Sequence, residues 1–166
     1  MKDSGPAQVS YTWDQIEDQA ATVLRLIRRD GTAPDVVISV LRGGAVPGVL
    51  LAHLLGGPAM YAVRASTMRD ERPRVRKDRL LVQGMDGLPD LAGLSVLLVD
   101  DVVNTGKTLI ETREQIMISR RPRALATACL VWDTVGPRGE VLAHCDADFY
   151  AERVHAWVRF PWELGS

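Results

Sequence analysis

Two adjacent carboxylates, Asp100 and Asp101, follow the apolar run Val-Leu-Leu-Val at 96–99 and precede a short loop, Asn104-Thr105-Gly106-Lys107-Thr108. Paired carboxylates can receive sugar hydroxyls and help hold a magnesium ion whose other positions go to phosphate oxygens. The loop offers successive backbone N–H groups, two threonine hydroxyls and the positive end of a helix that starts near Lys107. A phosphate monoester suits such a cradle, so the segment reads as a site for a phosphorylated sugar. Gly106-Lys107-Thr108 imitates the end of a nucleoside-triphosphate P-loop, but that pattern requires a glycine five positions before Gly106, where Asp101 stands. The plainer reading, a buried strand with an acidic capping turn, leaves the Thr-Gly-Lys-Thr continuation unexplained.

These residues need a frame. The run at 96–99 has the length and branching of a strand buried on both faces, as in the middle of a parallel sheet. The C-terminal end of such a strand is where ligands bind. Thr12 and Gln15 form a capping box, and Ile16, Ala20, Val23, Leu24 and Ile27 recur at helical spacing up to a stop near Gly31. Further strands are expected over 35–40, 60–64, 80–83, 124–131 and 146–150, with helices over 46–55 and 107–119. Gly56-Gly57-Pro58 ends the former helix, and 84–93 is rich in turn residues. The alternation predicts an α/β fold, an open, mostly parallel sheet flanked by helices. The chain of 166 residues reads as one domain, 1–166, without repeats or linkers.

Composition excludes several classes. A formal net charge of −1 gives no global attraction to nucleic acid or to an anionic membrane. Neither is expected as a partner. Two cysteines, Cys129 and Cys145, suggest buried thiols rather than a disulfide framework. No run reaches the roughly 18 apolar residues of a membrane span, and the N-terminus lacks the apolar core of a signal peptide. A cytoplasmic protein is expected. No His/Cys spacing suggests zinc.

Leu41-Arg42-Gly43-Gly44 ends the first sheet strand and so occupies a second position in the crevice. Its glycines allow close backbone approach, and Arg42 can fork onto phosphate oxygens. Residues 69–79 carry six basic side chains against three acidic ones, around Pro73. That composition predicts a flexible basic loop over about 66–79.

The segment around Asp100 resembles the phosphoribosyl-pyrophosphate (PRPP) signature of type I phosphoribosyltransferases, which move ribose 5-phosphate from PRPP to a nitrogenous base. The resemblance implies a PRPP-binding, Mg2+-dependent enzyme. Asp100 and Asp101 would serve the ribose hydroxyls and the metal, and Asn104, Thr105, Gly106, Lys107 and Thr108 the 5′-phosphate. Leu41, Arg42 and Gly43 would hold pyrophosphate, commonly through a cis peptide in this family, and the basic loop would belong to a small hood over the reaction centre. Tyr11-Thr12-Trp13-Asp14, the run Arg42 to Gly48, and the Trp157-x-x-x-Pro161-Trp162 stretch are similar to the bacterial xanthine-guanine subgroup. The likeness implies a base-recognition segment over about 150–166. Trp157 would stack on a purine, Val158 would add main-chain contacts, and Glu163 would stand on the metal or pyrophosphate side. Trp162 reads better as packing.

Two positions depart from that subgroup. Its members usually carry Asp where this chain has Asn104, and that carboxylate handles the proton at purine N7, which an amide cannot accept. They also place a lysine near the end of the following strand, where this chain has Trp132 beside Asp133. The base is therefore expected to be guanine-, xanthine- or hypoxanthine-like, or a modified ring such as a 7-substituted deazaguanine. A non-catalytic PRPP-sensing regulator and a pyrimidine phosphoribosyltransferase stay open as alternatives. Family members are commonly homodimers or homotetramers, and the same is expected here.

Overall fold

The computed structural model describes residues 7–68, 79–136, 140–145 and 147–163. In chain order the elements are β1 (Gln8–Ser10), α1 (Trp13–Asp30), β2 (Val36–Leu41), α2 (Ala45–Leu54), β3 (Ala59–Met68) and β4 (Arg79–Gln83). There follow β5 (Ser95–Val99), β6 (Val102–Val103), α3 (Lys107–Arg120), β7 (Ala124–Asp133), β8 (Phe149–Val154) and β9 (Trp157–Arg159). The main sheet runs β4-β3-β2-β5-β7, with β6 and β8 also paired to β7; every pairing is parallel except β3 with β4. This is the open, mostly parallel α/β sheet expected from the alternation of elements. Most of the expected basic loop, 69–78, lies outside the described residues.

Burial explains the apolar strands. Ile38, Val40, Val96, Leu98 and Cys129 pack on one face with Leu109 and Ile116 of α3. Val37, Leu97, Val99 and Ala128 pack on the other with Val23 and Ile27 of α1 and Leu51 of α2. Strands covered on both sides cannot afford polar alternation, which is why they read as continuous apolar runs. Burial also pushes the Cys129 thiol well above its ordinary value, with Cys145 beside it adding to the effect.

Helix α1 starts and stops as its sequence signals require. The Thr12 side chain accepts from Gln15 N, Gln15 Oε1 accepts from Thr12 N at 2.9 Å, and Gly31 closes the helix at φ 83°. Elsewhere the boundaries move. β3 extends to Met68 because it pairs antiparallel with β4 beyond the reach of β2. The last expected strand, 146–150, is displaced to Phe149–Val154, where polar Glu152 faces α1 and accepts from Tyr11 Oη and Gln19 Nε2. The short strands β1, β6 and β9 were not expected. β1 and β9 pair with each other in a separate two-stranded sheet that ties the two ends of the chain together.

The sheet order sets the place of the site. From β2 the chain crosses to β3 on one side, and β5 later takes the other side of β2. The strand order reverses between β2 and β5, so the loops that follow these two strands open into one crevice.

Candidate active site

Asp100 and Asp101 interrupt what is otherwise a single strand. β5 and β6 pair with β7 at the same sequence offset, Val99 with Ala128 and Val102 with Val131. Between them Asp101 O accepts from both Leu130 N and Val131 N, and the two carboxylates cap their own turn. Asp101 N donates to Asp100 Oδ1 at 3.0 Å and Val102 N to Asp101 Oδ1 at 2.8 Å. Burial, reinforced by the neighbouring Asp101 charge, pushes the Asp100 carboxyl well above the ordinary carboxylate range. Asp101 is raised as well, chiefly by burial, with the charge of Glu163 contributing. A cation beside the pair would offset this cost.

The loop after β2 comes directly against these acids. The Leu41–Arg42 peptide is cis. A Cβ on Gly43 would lie 1.8 Å from Asp101 Oδ2, and one on Gly44 2.9 Å from Asp100 Cα. Only glycine permits this approach. Leu41 and Arg42 are exposed beside it.

On the other side of the acids lies a cleft of about 540 Å3, lined by Asp100, the loop 104–108, the segment 133–136, and Trp157, Val158 and Glu163. Gly106, at φ 76°, caps α3 without any side-chain hydrogen bond to the helix terminus. Glycine offers no capping side chain to the first-turn N–H groups, and the helix dipole at this end favours an anion. Lys107 stands over this turn, 3.8 Å from Glu111.

Trp157 is 66% exposed, an unusual position for an indole, and its ring borders the cleft. Trp162 does pack: its ring stacks on Phe160 at 4.5 Å and 7°, with Trp13 on its other neighbour side at 5.8 Å. Glu163 Oε2 accepts from Phe160 N at 2.8 Å, so it also shapes the tail.

Two expected base contacts are placed differently. Trp132 does not line the cleft; it is buried edge-on against Tyr150, with the Arg153 guanidinium 4.7 Å above its ring. Its neighbour Asp133 lines the cleft instead. Asn104 does line it, but its amide nitrogen donates to Asp133 O at 3.1 Å and to Val135 O at 2.7 Å. Sequence reasoning noticed Asp133 only as a neighbour of Trp132, because nothing in a run of apolar residues tells which member of the pair turns outward.

For a divalent cation the donors at the acid pair are hard carboxylate oxygens. That fits magnesium, which binds through one or two carboxylates and completes its shell with water and substrate phosphate. Among the described residues no helix is long and apolar enough to cross a membrane.

A family model described as phosphoribosyl transferase domain matches residues 12–166. A purine phosphoribosyltransferase from Pyrococcus horikoshii Ot3 is similar at 28% identity and TM-score 0.74, over 94% of this chain and 93% of that one. A hypothetical protein from Neisseria gonorrhoeae with bound ppGpp matches at 22% and 0.79, over 95% and 90%. The xanthine-guanine-hypoxanthine phosphoribosyltransferase of Helicobacter pylori matches at 18% and 0.78, over 95% and 94%. The last two share the fold.

Proposed function

Because this chain belongs to the phosphoribosyl transferase family and is an enzyme of that class, we propose that it transfers ribose 5-phosphate from PRPP to a purine-type base. Pyrophosphate and a nucleoside 5′-monophosphate are the products. The observation that carries this reading is the single cleft lined by Asp100, the open N-terminus of α3 and the exposed ring of Trp157. In this reading the acid pair serves the sugar, the helix terminus the phosphate and the exposed ring the base. The similarity to a purine phosphoribosyltransferase supports the choice of base.

In this reading Thr105, Gly106, Lys107 and Thr108 hold the 5′-phosphate, with Asn104 at the start of their loop. Asp100 and Asp101 orient the ribose hydroxyls and would hold Mg2+. When bound, that ion neutralises charge on the departing pyrophosphate. Leu41, Arg42 and Gly43 receive the pyrophosphate, Arg42 as a forked donor. Trp157 stacks on the base, and Val158 borders its edge.

The C1–O bond to pyrophosphate breaks with its electron pair leaving on the oxygen, as a ring-nitrogen lone pair forms the new bond to C1. The proton that the base loses goes to water, because the Asn104 amide is no base. Catalysis rests on positioning and electrostatics, without a covalent nucleophile.

The test is a panel of bases with PRPP and Mg2+, read by mass spectrometry of the nucleotide product. Purines, pyrimidines and 7-substituted deazapurines belong on it. Purine-type nucleotides are expected. Products from pyrimidines alone, or PRPP binding without turnover on any base, would overturn the proposal.

A further inference from the structure

The side-chain donors on one wall of the cleft, and the backbone N–H groups of residues 134–136, already have partners. The wall is lined by Asn104, Asp133, Val135 and Gly136, with Thr134 buried between them. Thr134 N and the Thr134 hydroxyl both donate to Val154 O, at 2.8 and 2.9 Å. Val135 N donates to Asp133 Oδ1 at 2.8 Å, and Gly136 N to Glu140 O at 2.7 Å. The two amide hydrogens of Asn104 go to the carbonyls of Asp133 and Val135.

What remains is acceptors. An amide with both hydrogens engaged presents only Oδ1, and an ionised carboxylate accepts only. Asp133 is 7% exposed, yet among the described residues no donor reaches its Oδ2, nor does one reach Asn104 Oδ1. Neither oxygen is among the buried side-chain atoms that lack a partner, so both stay open at the cleft to a donor from solvent or from a ligand.

We infer that Asp133 and Asn104 form an acceptor pair that selects a base by the hydrogen-bond donors on the edge it turns toward this wall, preferring an amino group to a carbonyl at purine C6. The inference deepens the proposed function and rests on it. The N7–H form of a 6-aminopurine carries two neighbouring donors on one edge, the ring N–H and the exocyclic amine. Its N9 lone pair stays free for C1. A 6-oxopurine would set its carbonyl oxygen against one of these acceptors. Sites built to hydrogen-bond a substrate group reject the analogue that lacks it far more strongly than apolar pockets reject a change of shape.

The test compares kcat/KM for adenine against hypoxanthine, and for 2,6-diaminopurine against guanine, on the full chain with PRPP and Mg2+. Each pair differs at C6. At least a tenfold preference for the amino member is expected in both. Asp133→Asn keeps an oxygen for Val135 N and turns an NH2 where Oδ2 was, so the ratio should fall at least tenfold toward the oxo member. A ratio of rate constants is insensitive to the fraction of correctly folded protein, and PRPP affinity, measured by calorimetry, checks that the rest of the cleft is intact. Equal or better use of the oxo bases by the unaltered protein would overturn the inference and leave the proposed function standing. An amino preference that survives unchanged in Asp133→Asn would overturn the role given to Asp133. Failure to form a nucleotide from any base would overturn the reading beneath it, and the inference with it.

Discussion

At the level of single residues the site holds groups placed at a cost to the fold. Asp100 is the clearest, since burial and Asp101 together raise its carboxyl. Without a divalent cation, the folded protein holds that proton more tightly than the unfolded chain, whose carboxyl titrates near 3.8. The group's contribution to stability is therefore complete below that value and is lost as pH rises through the raised folded one. Asp100→Asn removes the loss. In the absence of divalent cation its melting temperature at neutral pH should exceed that of the unaltered protein by about 2 °C or more, and the two should converge in acid. Melting curves that coincide at neutral pH would show that the pair is not strained. Gly43 is the second case: a methyl group there would meet the Asp101 carboxylate at 1.8 Å, and the obstacle is tied to a strand by its own backbone. Gly43→Ala should move the loop after β2 by a sizeable fraction of an ångström. We expect kcat to fall by about a hundredfold, the typical consequence of misplacing catalytic groups on that scale. Retention of full turnover would remove the loop from the reaction.

Elements were legible in the sequence where one physical signal acted alone. The start and end of α1 follow from a capping box and a glycine in the left-handed region. Thr12→Ala should cost about 1 kcal/mol, a typical value for a lost N-cap, and lower the melting temperature by a few degrees; calorimetry that found no change would mean the cap is frayed in solution. β2 and β5 were legible because both of their faces are buried, and the acid pair because it closes β5. The misread elements are those whose order comes from tertiary partners. β8 looks like loop because Glu152 and Arg153 are polar. Yet Glu152 is held by Tyr11, just before α1, and by Gln19 of α1, and Arg153 lies over Trp132. β1 and β9 are three residues each and exist only through each other. The orientation of Trp132 and Asp133 was hidden for a related reason: β7 is buried along almost its whole length, so no polar alternation marks its faces. The amide bonds of Asn104 were equally out of reach, since they close on residues 29 and 31 positions away.

Over the whole molecule, β1 and β9 meet at the Trp157 side of the cleft, the proposed base side. β1 pairs with β9, and Trp157 N donates to Ala7 O at 2.7 Å. Beyond β9 an aromatic series continues the junction: Tyr11 stacks on Phe160, Phe160 on Trp162, and Trp162 meets Trp13 of α1. This series holds the backbone of Trp157 in place while leaving its ring exposed at the cleft, a combination that neither a free tail nor a buried strand would give. The proposed phosphate cradle belongs to another part of the fold, the loop between β6 and α3, and none of these rings lies in it. Trp162→Ala should therefore separate the two halves of the site. Each lost aromatic pairing is worth about 1 kcal/mol beyond the area buried, so the variant should be less stable but folded. Its KM for the base should rise about tenfold as Trp157 loses its support, while PRPP affinity measured by calorimetry stays within twofold. Equal losses for both substrates would mean that the tail stabilises the cleft as one body, and that the base platform is not separately held.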